Sequence, residues 1–373
     1  MAHIKYGYAF NSKNFTNDSV YPQIIRIRDI KKGFSETYYA GDFKKEYLVH
    51  HGDLLVGMDG EFNIERWKGK EALLNQRVCQ IEAKDKINED YLYFALGVAL
   101  KKVERKTAFV TVKHLSAKVL NDIELNVPSF NEQIRISDIL LNIKKSIKLR
   151  QLILKNLDEL IKARFVEMFG TIENNIFNYQ VVELGKYVSI QGGYAFKSKD
   201  FTNSGIRLVQ ISNVNKDFLE WNNINWLPTS FEQKYKEYLL NENDLVIAMT
   251  RPIIKSLNSV KIAKVSKSDL PSLLNQRVGR FIFNKNYVNP IFLEVLCKLQ
   301  NFKYYIEKMS GNSLQPNVSG KQIEKYKIIL PPLPLQNEFA DFVQQVDKSK
   351  VAVQKSLDET QKLFDSLMQE YFG

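Results

Sequence analysis

The chain has 373 residues, 44% of them hydrophobic, with a formal net charge of +11 and a pI near 9.2. That supplies cores for two or three ordinary domains, yet no run reaches the ~18 to 20 apolar residues of a membrane span. The opening Met-Ala-His-Ile-Lys-Tyr has no secretory apolar core, two cysteines and four histidines argue against a disulfide framework or a His/Cys metal centre, and the positive charge favours a polyanionic partner; a cytoplasmic location and no metal are expected.

In chain order, the first distinctive block is Gly7-Tyr8-Ala9-Phe10-Asn11-Ser12-Lys13. Its aromatics are expected in the core, with Lys13 either on phosphates or merely exposed. Ile24 to Ile30 alternates apolar and polar residues, which predicts a strand carrying Arg26 and Arg28 on its polar face. Gly52-Asp53 predicts a turn into the apolar run Leu54 to Met58. Asp59, Glu61, Arg66 and Lys68 follow, then Leu73-Leu74-Asn75-Gln76-Arg77-Val78, then helical spacing from Tyr91 to Lys102. The polar stretch Thr107 to Lys113, with Thr111 and Lys113, is a candidate contact loop.

Pro128 stands before a long segment in which positions 140, 147, 154, 161 and 168 are Leu, Ile, Leu, Ile and Met, beside Ile136, Ile143 and Leu157. A seven-residue period held this long predicts a coiled-coil seam rather than the broader face of a globular helix.

The remainder repeats this plan. Gly193-Tyr194-Ala195-Phe196-Lys197-Ser198-Lys199-Asp200-Phe201-Thr202-Asn203 matches residues 7 to 17 at nine of eleven positions, and Leu273 to Val278 is identical to Leu73 to Val78. Asn243-Asp244 predicts a second turn, Leu245 to Met249 a second apolar run, Val260 to Val265 a strand, and Pro290 to Glu307 a helix. The offset between copies grows from 186 at Gly7/Gly193 to 200 at Arg77/Arg277 and settles at 203 from Pro128/Pro331 to Gly170/Gly373, so the second copy carries extra loop residues. Pro331, Pro332 and Pro334 precede its long helix, whose seam runs through Phe339, Val343, Val346, Val353, Leu357 and Phe364. The predicted fold is α+β: two similar mixed modules at 1–130 and 171–330, with two long antiparallel helices at 131–170 and 331–373.

Two readings stand for most polar candidates. Arg77 and Arg277, expected at a strand start, sit in the block shared by both copies, which favours a structural or phosphate role, because base-reading residues should differ between modules. The dissimilar positions Asp59, Glu61, Arg66 and Lys68 in one copy, and Thr250, Arg251, Lys255 and Asn258 in the other, are candidates for base edges or simply solvated loops. The polar stretch Ser310 to Asn317, with Asn312 and Gln315, joins Thr107 to Lys113 as a further candidate contact loop. Asp53 with Glu82-Ala83-Lys84 imitates a metal-dependent nuclease motif, but the second copy has Ile282-Phe283-Asn284 there, and no phosphate loop, dinucleotide fingerprint or nucleophile elbow is found. A coiled-coil scaffold binding RNA or protein, and a stand-alone nuclease, are the alternatives to a DNA-reading role.

These blocks, together with Gln315-Pro316-Asn317-Val318-Ser319-Gly320-Lys321-Gln322 and the helix end Phe165-Val166-Glu167-Met168-Phe169-Gly170, resemble the specificity subunits of type I restriction-modification enzymes over essentially the whole chain. The resemblance implies a non-catalytic subunit whose two target-recognition domains grip the halves of a split site in double-stranded DNA. It also implies two methyltransferase subunits that dock on the helices and carry S-adenosylmethionine, joined by restriction and translocation subunits. One departure is that Val181-Val182-Glu183-Leu184-Gly185 leads into the second module while the first begins almost directly at Gly7, which leaves open whether another chain completes that edge.

Overall fold

The computed structural model describes residues 1–106, 114–311 and 313–373. Two compact units emerge, one of residues 1–151 with 354–373, the other of residues 152–353. No helix among the described residues is long and apolar enough to cross a membrane.

In the first unit, β1 (Ala2–Tyr6), β2 (Gln23–Ile25), β3 (Leu54–Gly57), β4 (Ile64–Arg66), β5 (Ala72–Leu74) and β6 (Val78–Ala83) are followed by α1 (Glu89–Lys106), α2 (Ala117–Asn121) and the start of α3 (Phe130–Phe169). A four-stranded antiparallel sheet has the order β1-β6-β3-β4, and β2 pairs parallel with β5 in a second sheet. Leu54, Leu55 and Val56 are wholly buried, as expected of an apolar run with both faces covered. The predicted strand from Ile24 to Ile30 is corrected: β2 stops at Ile25 and Ile27–Ile30 is one helical turn. The buried Asp29 carboxylate accepts the Arg26 N–H at 3.0 Å, capping that turn more strongly than alternation favours extension.

In the second unit, β7 (Gln180–Glu183), β8 (Val188–Gly192), β9 (Ile206–Val209), β10 (Leu245–Ala248), β11 (Ile262–Lys264), β12 (Ser272–Leu274) and β13 (Val278–Phe283) precede α4 (Pro290–Lys298), α5 (Gln300–Ser310), α6 (Gly320–Glu324), β14 (Lys327–Leu330) and α7 (Leu333–Phe372). The sheet order β8-β13-β10-β11 reproduces that of the first unit. Registers agree residue for residue: Ala2 pairs with Ala83 and Val188 with Phe283, while Ile24 lies beside Leu73 and Leu208 beside Leu273. The helix predicted from Pro290 to Glu307 is two helices, broken at Leu299, whose ψ of 153° is extended.

The seam residues point inward, with Ile136, Leu140, Ile147, Ile161, Phe339, Val343 and Val346 buried and Ile143, Leu154, Leu157, Val353, Leu357 and Phe364 half-buried. α3 and α7 pair in opposite directions within each unit. Ile136 and Leu140 cluster with Phe364, Leu367 and Tyr371, and Arg150 Nε reaches Ser356 Oγ at 2.9 Å in the first; Asp158 meets Lys350 at 2.6 Å and Arg164 meets Glu338 at 3.9 Å in the second. A seam alone is too narrow a description. Ile136 and Leu140 also pack on Tyr91 and Phe94 of α1, Phe165 stacks on Phe292 of α4, and the other contacts of Phe165 and Phe169 with Phe292 and Phe339 are edge-on. At these ends the helices serve as module core, so the buried face widens beyond two heptad positions.

Candidate nucleic-acid interface

The repeated motifs form the two sides of one backbone joint. Gly7 N–H donates to Val78 O at 3.0 Å, Tyr8 N–H to Leu74 O at 3.0 Å, and Gln76 N–H to Tyr8 O at 2.8 Å. Gly193, Tyr194 and Gln276 make the same three bonds at 3.1, 3.0 and 2.8 Å. A Cβ on Gly7 would stand 2.0 Å from Asn75 O, and one on Gly193 2.2 Å from Asn275 O, so only glycine lets the strands approach.

The joint fixes Arg77 and Arg277. Both lie in a left-handed turn, with φ of 72° and 66°, immediately before β6 and β13, rather than at a strand start. Glycine would cost less in that conformation, yet both copies carry arginine there. Their carbonyls accept the N–H of Met58 and Met249 at 2.8 Å, and Met58 and Met249 accept Leu115 and Val318 N–H at 2.7 and 2.8 Å. The next residues then bridge in the same way, Asp59 with His114 and Thr250 with Asn317.

One scaffold therefore presents two different polar sets. In the first module Arg77 Nε lies 3.4 Å from Asp59, its Nη1 lies 3.2 Å from His114 Nδ1, and His114 lies 2.5 Å from Asp59. In the second, Arg277 Nη1 donates to Thr250 at 3.5 Å, Thr250 bonds Asn317, and no carboxylate among the described residues pairs with Arg277. Arg251 adds charge there: it is exposed, in a left-handed turn of φ 48°, and its N–H donates to Pro316 O at 2.8 Å. Burial, and then the Arg251 charge, push the Lys261 ammonium below its ordinary pKa.

Exposed aromatics flank each arginine turn. Phe10 and Phe196 are buried as expected, but Tyr8 and Tyr194 are 52% and 39% exposed, which corrects their placement in the core. Tyr8 lies tilted against Tyr47, and Tyr194 against Tyr235 and Tyr238, so each exposed ring is braced by neighbouring aromatics. Gln76 and Gln276 are exposed between ring and guanidinium.

Other candidates are placed elsewhere. Lys13, Lys197, Lys199, Lys68 and Gln315 are exposed, as is Arg28, whose Nε lies 3.9 Å from Asp29. Arg26 is held by Thr37 and Asp29. Glu61 pairs with Lys31, whose hydrogen bond, with that of Asn63, holds the carboxyl below its usual range. Arg66 is withdrawn: it donates to Glu89 at 2.9 Å, Asp90 at 2.7 Å and Gly52 O at 2.9 Å, and so clamps the first turn of α1. Burial opposes its charge, but those two carboxylates more than compensate and raise its pKa. Lys255 and Asn258 stand on a hairpin packed against α5, Asn258 reaching Gln300 at 3.4 Å, apart from the arginine turn. Asp53, part of the nuclease-like pattern, accepts the His50 N–H at 2.7 Å and closes a turn. Thr111, Lys113 and Asn312 lie outside the described residues. His114 was missed, and Asn317 was included only as the end of the candidate loop Ser310 to Asn317; the two share the helix offset of 203, since 317 minus 114 is 203, so extending that register upstream would have paired them.

The family described as the type I restriction modification DNA specificity domain matches residues 1–159 and 177–360. Among curated proteins, the type I restriction enzyme EcoBI specificity subunit of Escherichia coli is 28% identical over 403 residues, covering 100% of this chain and 84% of its own. The MjaVIII specificity subunit of Methanocaldococcus jannaschii is 26% identical over 374 residues, covering 97% and 84%. Among solved structures, the type I S subunit from M. genitalium aligns over 100% of this chain and 94% of its own with a TM-score of 0.57 at 15% identity, a likeness of fold.

Proposed function

The chain belongs to the type I restriction-modification DNA specificity family, and we propose on that premise that it is the sequence-reading subunit, each module taking one half of a bipartite site. One observation carries this reading. Two modules with identical sheet registers hold an arginine in the same strained turn, yet surround it with Asp59 and His114 in one and Thr250 and Asn317 in the other. Two readers of different half-sites need that combination of shared positioning and unshared readout.

In this reading Arg277 grips a phosphate, Tyr194 and Gln276 shape the approach, and the exposed Asn317 faces a base edge, held in place by the buried Thr250. Asp59 and His114 take the corresponding place beside Arg77. The chain itself carries no catalysis; methylation, with its S-adenosylmethionine, belongs to two methyltransferase subunits docked on the helices, and cleavage to restriction and translocation subunits. Arg277→Ala is expected to weaken binding to all sequences about equally and to lower the slope of log affinity against log salt by ~0.9, one phosphate's share. Arg77→Ala is expected to lower it less, because Asp59 already neutralises that guanidinium. Salt titrations of both variants on specific and scrambled duplexes check this; a loss confined to the specific duplex would instead make Arg277 a base reader.

The helices are proposed to set the gap between half-sites. Four extra residues in both α3 and α7 add roughly 6 Å and turn the helix by about 40°. Two base pairs advance a duplex by roughly 7 Å. The expected result is two unchanged half-sites separated by one or two more base pairs, read by mapping methylation in the assembled complex; an unchanged gap refutes the ruler.

A further inference from the structure

In the second module the segment around Asn317 is fastened by its backbone. Pro316 O accepts the N–H of Arg251 at 2.8 Å, Asn317 N–H donates to Ser310 O at 3.1 Å, and Val318 N–H donates to Met249 O at 2.8 Å. Asn317 is thereby fixed beside Thr250, with which it bridges, while remaining exposed. A side chain carried on backbone held this way is placed before a duplex arrives, so little further ordering opposes recognition.

The direction of the hydrogen bonds fixes which end of the amide is held. A guanidinium only donates, so Arg277 Nη1, at 3.5 Å, uses a lone pair of the Thr250 hydroxyl, whose single proton then goes to Asn317 Oδ1. Thr250 is 3% exposed, which shields that bond from water. Oδ1 keeps its second lone pair, and no residue among those described engages Nδ2. Asn317 therefore offers a donor next to an acceptor. The first module has no such amide: Asp59 and His114 form the equivalent bridge, and both engage Arg77.

We propose that Asn317 reads one adenine of the second half-site, Nδ2 donating to N7 and Oδ1 accepting from the N6 amino group, with Thr250 as the residue that positions it. The inference rests on the DNA-reading function proposed above. In the major groove guanine offers two acceptors, cytosine a donor, and thymine an acceptor beside a methyl group. Adenine alone sets an acceptor beside a donor on one base, which matches the two free functions of the Asn317 amide.

Competition binding by the full chain assembled with its modification subunits tests this, on the bipartite duplex found by methylation mapping. Each adenine of the second half is replaced in turn by 7-deazaadenine, which lacks the N7 acceptor, or by unsubstituted purine, which lacks the amino group. At one adenine each replacement is expected to weaken binding by about fivefold or more. Asn317→Ala is expected to bind the adenine, deaza and purine duplexes alike, with its response to first-half replacements unchanged. Thr250→Val, of similar shape but without the hydroxyl, is expected to lose most of the discrimination, and Thr250→Ser to keep it. Sensitivity to N7 alone, sensitivity at no adenine, discrimination that survives Asn317→Ala, or full discrimination in Thr250→Val overturns the proposal. Affinity indifferent to the whole second half would overturn it together with the DNA-reading function on which it rests.

Discussion

Replacing residues 1–130 by the first module of another family member is expected to change one half of the recognised sequence and leave the other half as it was. The expectation rests on separate cores: Leu54, Val56, Phe62 and Leu96 cluster in the first unit, and Leu245, Ile247, Phe281 and Phe292 in the second. Each arginine turn is built wholly from its own module, so neither reader needs the other for its geometry. Specific duplexes bind ~10³ to 10⁷ times more tightly than non-specific ones, so the exchange should move the preference for one half-site by at least a thousandfold. Methylation mapping of the chimaera with its partner subunits reads the outcome; simultaneous change of both halves would show that the modules do not read independently.

Arg280→Ala is expected to destabilise the second unit by ~3 to 5 kcal/mol, because it leaves buried polar partners uncompensated. The guanidinium, 8% exposed, donates to Gln191 at 3.1 Å, Leu239 O at 2.6 Å, Glu237 O at 2.9 Å and Asp244 at 3.1 Å. The first unit solves the same problem with the cation on the neighbouring strand: Gln80 replaces the arginine, and its cross-strand partner Lys5 reaches Leu48 O at 3.1 Å. The pair Gln191→Lys with Arg280→Gln should therefore recover at least half of the loss in urea unfolding. A single substitution costing under about 1 kcal/mol, or a double one with no recovery, contradicts the swap.

Much of this architecture was legible because the chain states it twice. Matching Gly7 with Gly193 and Leu73 with Leu273 placed the two modules, and the heptads through Leu140, Ile147 and Ile161 placed α3. The site was less legible for a physical reason. Asp59 meets His114, and Tyr8 meets Asn75, only through tertiary pairing, and the drifting offset between copies hid which loop residues correspond. Local alternation also misled at Ile27–Ile30, where the Asp29 cap overrides it, and dissimilarity between the copies nominated Arg66, which Glu89 and Asp90 hold against α1. The left-handed backbone of Arg77 and Arg277 has no signature in composition, since arginine is an uncommon choice there.

The most direct measurement is a competition among three duplexes for the full chain assembled with its modification subunits. The first carries the whole bipartite site found by methylation mapping, and each of the others has one half replaced while the gap and total length are kept. Two independent readers predict that replacing either half lowers affinity by a comparable large factor, and that Asn317→Ala worsens binding only where the second module's half is intact. A contiguous site, or affinity unchanged when one half is replaced, would contradict a chain that reads DNA with two heads.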